Sequence, residues 1–593
     1  MSNIKNKKDV KLFKRLLEYL KPHKKPFIIS LILMFVVVLV ELLPPLLIGK
    51  ILNTIGENKD GSALEIILYI VGFLVILLIS LGLNFKQTVI LQEIGEKIIL
   101  KIRLQVFRHI EQLSTQQLNE EPVGKMVTRV MNDPDSISQM FTSVVINLIR
   151  SFLMMIAIIF ILLFINIKLA LITLAVIPVM GLITFVFRKV TRKSYQKIRD
   201  EISSLNAFLS ENLSGMKVTQ IFNQEVKKRN EFRARSKSLE KSFQKEIFVY
   251  AVFRPLIYLV TMAGLITILY FGGTEVIVGT LTYGLLYSFY SYVEKFFDPI
   301  QQIAEEFNNL QNAYASAEKI FGTLDTIPSV QDLEDAIELE DFKGHIEFKN
   351  VWFSYIKDEW VLRDVSFEVK PGETIAFVGA TGSGKTTILS LIVRNYDIQQ
   401  GEILIDGIDI KKIKRSSIRK HIGQMLQDVF LFNKTIKDNI TLNNQDITLD
   451  EVIDASRYVG ADTFIEKLPE RYQHMVLERG NNFSSGQRQL ISFARAIVYK
   501  PSLLILDEAT ANIDSETEEI IQTSLKKIMK RSTMLIVAHR LSTIQHSDKI
   551  IVLHKGKIRE IGSHQQLLKL EGMYYNLYKI QFDKKETQAL LDW

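Results

Sequence analysis

Long apolar segments separated by charged ones occupy the first half of the chain. Six of these segments are long enough to cross a membrane as helices, which takes about 20 mostly apolar residues. They are Phe27–Ile51, Ala63–Phe85, Val144–Ile165, Leu169–Phe187, Ile247–Phe271 and Thr280–Ile300. Several of them are too long and carry too little charge to be core helices of a soluble protein. The pattern predicts a membrane domain of six helices.

The loops between these segments differ in length and charge. The loops at 52–62, 166–168 and 272–279 are short, and their only basic residues are Lys59 and Lys168. The loops at 86–143 and 188–246, in contrast, are long and rich in Lys and Arg. Because cytoplasmic loops carry the excess of basic residues, both long loops and both chain termini are predicted to be cytoplasmic.

Charged helical segments extend the predicted spans. Residues 1–26 contain nine Lys or Arg with apolar residues at helical spacing, which predicts an amphipathic helix at the inner membrane surface. Lys86–Leu113 and Arg188–Met216 have the pattern of cytosolic helical extensions. Corners follow at 122–124 and around Gly215. These corners are either contacts for a cytosolic domain or ordinary connecting turns.

The second half of the chain has the pattern of a soluble α/β protein. The helical pattern of the first half ends near Leu324, and the acidic linker Asp325–Asp341 follows. A chain of 593 residues exceeds the size of a single core, which agrees with at least two domains. The formal net charge of +8 is concentrated at the N-terminus and in the long loops, a distribution typical of a membrane surface rather than of nucleic-acid binding. The absence of cysteine excludes disulfides, cysteine nucleophiles and cysteine-based metal sites.

A phosphate-binding loop lies in this second half. Gly379–Thr386 fits the pattern G-x-x-x-x-G-K-[ST] between an apolar strand, Thr374–Val378, and a helix, Thr387–Val393. The glycines allow backbone N–H groups to surround a phosphate, and the N-terminus of the helix adds partial positive charge. Lys385 is predicted to reach the β- and γ-phosphates, and the Thr386 hydroxyl to bind Mg²⁺. The chain is therefore predicted to bind a nucleotide.

Further motifs lie on both sides of this loop. In chain order they are the strand-like segments His345–Phe348 and Val351–Tyr355, Gln427 after a short apolar segment, the helix start Asn482–Gln489, the apolar strand 503–506 with Asp507, Glu508 and Asp514 after it, and the strand Leu535–Ala538 before His539. Asp507 ends its strand in a position to orient Mg²⁺ or its water. Glu508 points the other way and can polarise the attacking water as a general base.

This set of motifs, in this order and spacing, resembles the ATP-binding cassette domain. With six preceding spans, the chain resembles a half-transporter of the ABC exporter type over essentially its whole length. The resemblance implies an α-helical membrane domain fused to an α/β P-loop NTPase: an N-terminal interfacial helix at 1–26, a transmembrane domain at 27–324, a linker at 325–342 and the cassette at 343–593. It implies ATP and Mg²⁺ as cofactors, a second half-transporter and membrane lipids as partners, and a multi-pass protein of the bacterial plasma membrane.

The resemblance also assigns roles to residues. Glu508 is implied to be the general base, His539 to contact the γ-phosphate, and Gln427 to sense Mg²⁺ and the attacking water, while Tyr355 is implied to stack on adenine. The phosphates are implied to contact Gly379, Thr381, Gly382, Ser383, Gly384, Lys385, Thr386 and Thr387. Mg²⁺ is implied at Thr386, Gln427 and Asp507. ATP bound by the partner half is implied to contact Ser484, Ser485, Gly486 and Gln487, and Asp514 is counted among the nucleotide-binding residues.

The signature segment departs from the family pattern L-S-G-G-Q at two positions. Phe483 replaces Leu, and Ser485 replaces the first Gly. A side chain at Ser485 weakens the contact where backbone and phosphate approach closely. The motifs that hydrolyse ATP on this chain are intact, whereas the signature that contacts the partner's ATP is altered. The sequence therefore favours one subunit of a heterodimeric exporter. The alternative is a homodimer that tolerates the serine. The resemblance further places coupling helices near Leu118–Val123 and Gly215–Gln224.

The transported compound is indicated only by one stripe of the sixth span. Tyr283, Tyr287, Tyr290 and Glu294 recur at helical spacing. They either line a cavity for amphipathic cations or pack against other helices. The sequence thus predicts an ATP-driven exporter of amphipathic small molecules, with a lipid flippase or an ATP-gated channel or sensor as alternatives.

Three further charges lie within the predicted spans. Arg150 and Arg254 are close to the inner ends of theirs and are interpreted as snorkelling to the membrane surface. Glu41, beside Pro44 and Pro45, is expected to mark a kink.

Overall fold

The computed structural model describes residues 12–56, 62–426, 428–507, 515–529, 532–537 and 544–580. They fall into two compact units. One, the membrane unit, combines the residues up to His109 with Val123–Thr326, and the other, the cassette unit, combines Ile110–Pro122 with the residues from Ile327 onward. The cassette unit therefore begins within the segment predicted as linker, and it includes a short piece of the first long loop.

Helices account for nearly all of the described residues before the linker. In chain order they are α1 over residues 12–20, α2 Lys24–Glu41, α3 Leu43–Gly56, α4 Ser62–Gln112, α5 Thr115–Glu120, α6 Val123–Met131, α7 Asp133–Gln139, α8 Val145–Ile165, α9 Ile167–Ser214, α10 Met216–Ile221, α11 Glu225–Ile277 and α12 Tyr283–Leu324. Helices α4, α9 and α11 run for 51, 48 and 53 residues. At about 1.5 Å per residue each exceeds the roughly 30 Å hydrocarbon layer about twofold. The predicted helical extensions beyond the membrane are thus continuous helices.

Four helical stretches of the described residues are long and apolar enough to cross a membrane: Leu12–Gly56, Ala63–Gln112, Val123–Ile165 and Glu225–Ile277. They contain the first, second, third and fifth predicted spans. The other two predicted spans lie in α9 and α12, and the one in α12 carries Glu294, Lys295 and Asp298. The count of six spans stays a prediction.

The first span is interrupted where the sequence predicted a kink. Helix α2 ends at Glu41, and α3 begins at Leu43 with Pro44 and Pro45 in its first turn. Proline has no N–H to bond to the preceding turn, so the break before these residues follows from their backbone chemistry. Near this break, the carbonyl of Leu42 accepts a hydrogen bond from the Tyr292 hydroxyl at 2.5 Å.

The interpretation of Arg150 as a snorkelling side chain is wrong. Its guanidinium pairs with the Glu41 carboxylate of α2 at 2.5 Å, so its charge is neutralised inside the protein. Ion pairing satisfies both charges at low cost where water is scarce. Lys295 of α12 joins the same cluster by donating to the Glu41 carbonyl at 3.1 Å. The side chain of Arg254 is not among those described.

Helix α12 packs closely on α3 at Gly284. A Cβ at this position would collide with the carbonyl of Gly49. The amide of Gly284 donates to Asn53 Oδ1 at 2.7 Å, and Ser288 donates to the carbonyl of Pro45 at 2.9 Å. The apolar core of the membrane unit continues along α12 with buried Phe289, Tyr292 and Phe296.

The cassette unit contains two sheets and the helices around them. Its strands are β1 Ile346–Ser354, β2 Trp360–Val369, β3 Thr374–Val378, β4 Gln400–Ile405, β5 Ile408–Asp409, β6 Ile422–Met425, β7 Leu503–Asp507, β8 Thr533–Val537, β9 Lys549–His554 and β10 Lys557–Gly562. Its helices are α13 Lys385–Ile392, α14 Arg415–Lys420, α15 Ile436–Thr441, α16 Leu449–Val459, α17 Asp462–Ile465, α18 Ser485–Val498, α19 Ser515–Ile528 and α20 His564–Lys569.

One sheet is antiparallel, in the order β2-β1-β4-β5, and the other has the order β10-β9-β3-β8-β7-β6. Strands β9, β3, β8, β7 and β6 of the second sheet are parallel, so their carboxyl ends share one edge. The two strand-like segments predicted before Tyr355 form a single strand, β1, in which Asn350 has a positive φ of 46° at a register shift. A bulge therefore replaces the predicted break.

The close approach of α12 and α3 predicts an intolerance of any side chain at Gly284. We expect Gly284→Ala to lower the stability of the membrane unit by about 1–3 kcal/mol, because the added methyl group displaces a helix backbone. Gly273→Ala is the matched control, since a Cβ there meets nothing within 4 Å. Thermal unfolding in detergent measures both variants. Equal melting temperatures for the two variants would contradict the packing described.

Candidate nucleotide-binding site

The phosphate-binding loop follows β3, which is buried along its whole length. Gly379, Gly382 and Gly384 have φ values of 155°, 79° and 104°. A Cβ on Gly379 would collide with the carbonyl of Leu553, and one on Gly384 would lie 2.5 Å from Leu362 Cδ2. The loop can pass this close to its neighbours only with glycine at these positions.

Lys385, the first residue of α13, lies across the loop. Its side chain is buried, and Nζ donates to the carbonyls of Gly379 at 2.8 Å and Ala380 at 3.1 Å. The buried hydroxyl of Ser383 has no hydrogen-bond partner among the described residues. An ammonium group and an unsatisfied hydroxyl on the inside of a glycine loop fit the phosphates of a nucleotide. Thr381 lies at the exposed side of the same loop.

Thr386 and Asp507 meet beside the loop. The Thr386 hydroxyl donates to Asp507 Oδ1 at 3.4 Å, and Asp507 ends the buried strand β7 with only 8% of its surface exposed. A hydroxyl and a carboxylate oxygen are ligands that suit Mg²⁺, which keeps waters and phosphate oxygens in its remaining positions. Among the described residues no group of three or more His, Asp or Glu side chains offers a metal site. The pair therefore fits a nucleotide-bound Mg²⁺.

Tyr355 lies next to the phosphate loop. Its hydroxyl shares a hydrogen bond of 3.0 Å with Thr387 of α13, and its ring meets Phe353 and Tyr396 edge to face at 4.9 and 5.1 Å. Burial raises the pKa of the Tyr355 phenol, which keeps it neutral and able to share this bond. The ring is 39% exposed. Its stacking on adenine stays a prediction.

The remaining hydrolytic residues follow strand ends of the same sheet edge. Strand β6 ends two residues before Gln427, β7 ends immediately before Glu508, and β8 ends two residues before His539. In parallel sheets ligands bind beyond the carboxyl ends of the strands. Gln427, Glu508, Asp514 and His539 themselves lie outside the described residues, and their roles stay predictions.

The signature segment forms the N-terminus of α18. Ser484 caps this helix: its hydroxyl accepts from the amide of Gln487 at 3.2 Å, and its own amide donates to Gln487 Oε1 at 3.0 Å. Phe483 is buried against the rings of Phe464 and His474, so the larger side chain is absorbed by the core. Ser485 occupies the first helical position and the buried Gly486 the second. The predicted contact of this turn with a partner's ATP is untested.

The sequence analysis missed the residues that attach the loop segment 110–122 to the cassette unit. Helix α5 covers Thr115–Glu120 rather than the predicted Leu118–Val123, which spans the end of this helix and the bend after it. Ser114 caps the helix reciprocally with Gln117. The pattern S-x-x-Q is a capping-box signature and would have located the helix from sequence. The second coupling segment, predicted at Gly215–Gln224, contains the short helix α10.

A second missed residue is Arg394, two residues after α13. It is 1% exposed and donates to Asp332 Oδ1 at 3.1 Å and to the carbonyls of Gln331 at 2.8 Å and Ile413 at 2.8 Å. It thereby ties the linker to the end of the P-loop helix. No local sequence pattern marks this contact, which joins residues far apart in the chain.

Comparison with known proteins accounts for both halves of the chain. Residues 27–300 match the family model of the ABC transporter transmembrane region, and residues 362–511 match the ABC transporter family model. The chain belongs to the ABC transporter family. It is an integral membrane half-transporter with the permease and ATPase fused in one chain, and it couples ATP hydrolysis to transport. The predicted family and fold class are confirmed.

Relatives extend over nearly the whole chain. An uncharacterized ABC transporter ATP-binding protein, YknV of Bacillus subtilis, is 39% identical over 96% of this chain and 94% of its own. The probable multidrug resistance ABC transporter ATP-binding/permease protein YheH of the same organism is 38% identical over 87% of this chain and 76% of its own length. An ATP-dependent lipid A-core flippase of Syntrophus aciditrophicus is 33% identical over 97% of this chain and 95% of its own length. The structure of a bacterial Atm1-family ABC exporter with ATP bound superposes with a TM-score of 0.79 at 25% identity, over 95% of this chain and 98% of that one.

The phosphate loop and Glu508 follow different strands, so a change at Glu508 is expected to affect ATP hydrolysis without affecting ATP binding. We expect Glu508→Gln to bind ATP normally but to lose about 10²–10⁴-fold in turnover, because the amide cannot accept a proton from water. Glu470→Gln, a change of the same type at an exposed position, is the control and should hydrolyse ATP at the normal rate. Turnover is measured as phosphate release and binding with a fluorescent ATP analogue. Normal turnover of Glu508→Gln would refute the general-base role.

Proposed function

We propose that the chain is one half of an ATP-driven exporter that moves amphipathic small molecules out of the cytoplasm or inner leaflet by alternating access, with both termini cytoplasmic in a bacterial plasma membrane. The observation that carries this proposal is the position of α5. This piece of a membrane-domain loop belongs to the cassette unit. Ser329 of the linker donates to the Ser114 hydroxyl at 2.6 Å, and Thr115 donates to Asn395 Oδ1 at 3.3 Å.

These contacts connect the phosphate site to the loop that leaves the membrane domain. Asn395 lies three residues beyond the end of α13, whose first residue is Lys385. A shift of α13 on nucleotide binding would therefore reach α5 through Asn395, and α5 continues into α4 and α6. This is the physical route by which cassette closure can switch the membrane helices between two conformations.

In the proposed mechanism each site residue has one task. Lys385, Ser383 and the amides of the glycine loop hold the β- and γ-phosphates, and Thr386 with Asp507 would hold Mg²⁺. When bound, Mg²⁺ supplies charge neutralisation between the phosphates. Glu508 polarises the attacking water, and His539 and Gln427 orient the γ-phosphate and that water.

The proposed substrate class is supported by the more exposed face of α12. Phe289, Tyr292 and Phe296 are buried on one side of this helix, whereas Tyr283 is 69% exposed and Glu294 is exposed on the other. Tyr287 and Tyr290 of the same stripe are half-buried. Aromatic rings with a carboxylate at one end suit an amphipathic cation, and a membrane carboxylate is tolerated where it faces protein or a water-filled cavity.

A lipid flippase is the second candidate, since one relative is named a lipid A-core flippase. Stimulation of ATP hydrolysis separates the two. An exporter of amphipathic cations is stimulated by compounds such as ethidium at micromolar concentration, whereas a flippase is stimulated by one lipid class and is indifferent to such cations. Stimulation by neither group would contradict both candidates.

We also propose that the second half of the dimer is a different chain. ABC half-transporters act as dimers, and in this chain the altered position of the signature, Ser485, contrasts with intact phosphate-loop residues. The signature of this chain contacts the ATP that is bound by the partner. An altered signature is therefore harmless if the ATP site of the partner does not have to hydrolyse ATP. The arrangement then leaves one competent site, built on this chain's Glu508 and completed by the partner's signature.

The attachment of α5 predicts a selective loss of coupling. Gln117 donates to the carbonyl of Ile327 at 2.8 Å and accepts from the amide of Ser329 at 3.2 Å, so Gln117→Leu removes these two bonds between α5 and the linker, together with the cap that Gln117 forms with Ser114. We expect substrate stimulation of ATP hydrolysis to fall severalfold while basal hydrolysis stays within about twofold, because the phosphate site is untouched. Gln116→Leu is the control, since within the described ranges the Gln116 side chain bonds to Glu120 of its own helix and to no residue of the linker. Full substrate stimulation of ATP hydrolysis in the Gln117→Leu variant would show that this contact does not couple the membrane domain to the ATP site.

The altered signature predicts the composition of the native complex. Affinity purification from native membranes followed by native mass spectrometry should give a complex of two different half-transporters. A species of twice the chain mass, 2 × 68.1 kDa, would instead show that the serine is tolerated in a homodimer. In that case Ser485→Gly should leave turnover unchanged.

A further inference from the structure

A basic cavity lies between the long helices α9 and α11 of the membrane unit. Its volume is about 300 Å³, and it is lined by Lys197, Ser238, Lys241, Ser242, Gln244 and Lys245. These residues come from the parts of the two helices that the sequence places in the cytosol. The cavity is unrelated to the nucleotide site, since every lining residue belongs to the membrane unit.

The lysines of this cavity are not held in ion pairs. Among the described residues, none of the three lysine ammonium groups forms an ion pair, and two carboxylates beside the cavity accept hydrogen bonds from lining residues. Ser238 donates to Glu201 at 2.8 Å, and Gln244 donates to Glu240 at 3.1 Å. Three ammonium groups on one surface form a receptor for a phosphate group, whose oxygens only accept hydrogen bonds.

The cavity extends outward from the predicted edge of the membrane. The ring contact of Phe187 with Tyr250 at 5.3 Å and the bond between Ser238 and Glu201 fix the antiparallel register, which places Lys197 level with Ser242. Lys245 lies two residues, about 3 Å along the helix, before the predicted span that starts at Ile247, whereas Lys197 lies ten residues, about 15 Å, beyond the predicted span that ends at Phe187. The head-group layer is about 5–7 Å thick on each side of the hydrocarbon core, so Lys245 lies within this layer and Lys197 lies on its cytosolic side.

The surface on the membrane side of the cavity is apolar. Ile247 is 63% exposed and Phe248 is 70% exposed, directly after the lysines of α11. A ligand that carries both a phosphate and acyl chains would cover the basic cavity and this apolar surface together. A free phosphate ion would leave the apolar surface uncovered.

We infer that this cavity binds the phosphate head group of an anionic phospholipid from the cytoplasmic leaflet. Lys197, Lys241 and Lys245 contact the phosphate, and the acyl chains lie against Ile247 and Phe248. Because the lysines come from both helices, the bound lipid connects α9 to α11. Basic pockets at this level of a membrane protein attract anionic lipid, at about 1 kcal/mol per basic residue near the surface.

The test compares two variants of the full-length protein that lose the same charge. K197Q/K241Q/K245Q empties the cavity of cations, and K227Q/R233Q/K237Q removes three exposed cations of α11 that do not line it. Native mass spectrometry in detergent measures binding of phosphatidylglycerol, with phosphatidylcholine and inorganic phosphate as comparisons. All measurements are made without ATP, so they are independent of hydrolysis and transport.

We expect the wild type and the K227Q/R233Q/K237Q variant to bind phosphatidylglycerol at least tenfold more tightly than phosphatidylcholine. In the cavity variant this preference should disappear, with phosphatidylglycerol binding about 100-fold more weakly. Circular dichroism should show equal helix content in all three proteins, since exposed Lys→Gln changes alter stability little. Equal phosphatidylglycerol binding by the two variants would overturn the inference. Displacement of the lipid by millimolar inorganic phosphate would show that the cavity takes free phosphate instead.

Discussion

A buried guanidinium fixes the end of the P-loop helix that lies away from the phosphates. Arg394 is almost fully buried, and a charged group in that position is stable only when its donors are satisfied. Its partners are the linker residues Gln331 and Asp332, the carbonyl of Ile413 and the carboxylate of Asp397. The linker, the P-loop helix and the segment that leads into α14 are therefore joined at one point, and the loss of any partner would leave a buried guanidinium N–H without its acceptor.

The two ends of α13 connect the chemistry to the membrane domain. At its first turn Lys385 and the glycine loop present ammonium and amide groups to the phosphates. Just beyond its last turn, Arg394 holds the linker and Asn395 contacts Thr115 of α5. A rigid helix of 8 residues thus separates the phosphate site from both connections to the membrane domain. In the proposed mechanism these hydrogen bonds would transmit a displacement at the phosphates more directly than a flexible tether could.

Much of this architecture is readable from local sequence. The phosphate loop, its flanking strand and helix, Asp507 at a strand end and the long extended helices all follow from apolar periodicity and glycine chemistry. The coupling helix was predicted near Leu118–Val123, whereas α5 begins at Thr115, where the cap at Ser114 fixes its start. Arg150 was misread because its partner Glu41 is 109 residues away, and charge pairing between distant segments leaves no periodic signal. Arg394 and the basic cavity were not predicted for the same reason, because their contacts join residues that are far apart in the chain. The lysines of the cavity come from two separate helices.

The central claim is that ATP turnover on this chain drives export, and uptake into inside-out membrane vesicles tests it most directly. The vesicles contain the wild-type complex or its Glu508→Gln variant, and the probe is ethidium, a fluorescent amphipathic cation. The account predicts ATP-dependent accumulation in wild-type vesicles and none above background in the variant. Equal accumulation in both, or hydrolysis in the wild type without accumulation of ethidium or any other amphipathic cation, would contradict it.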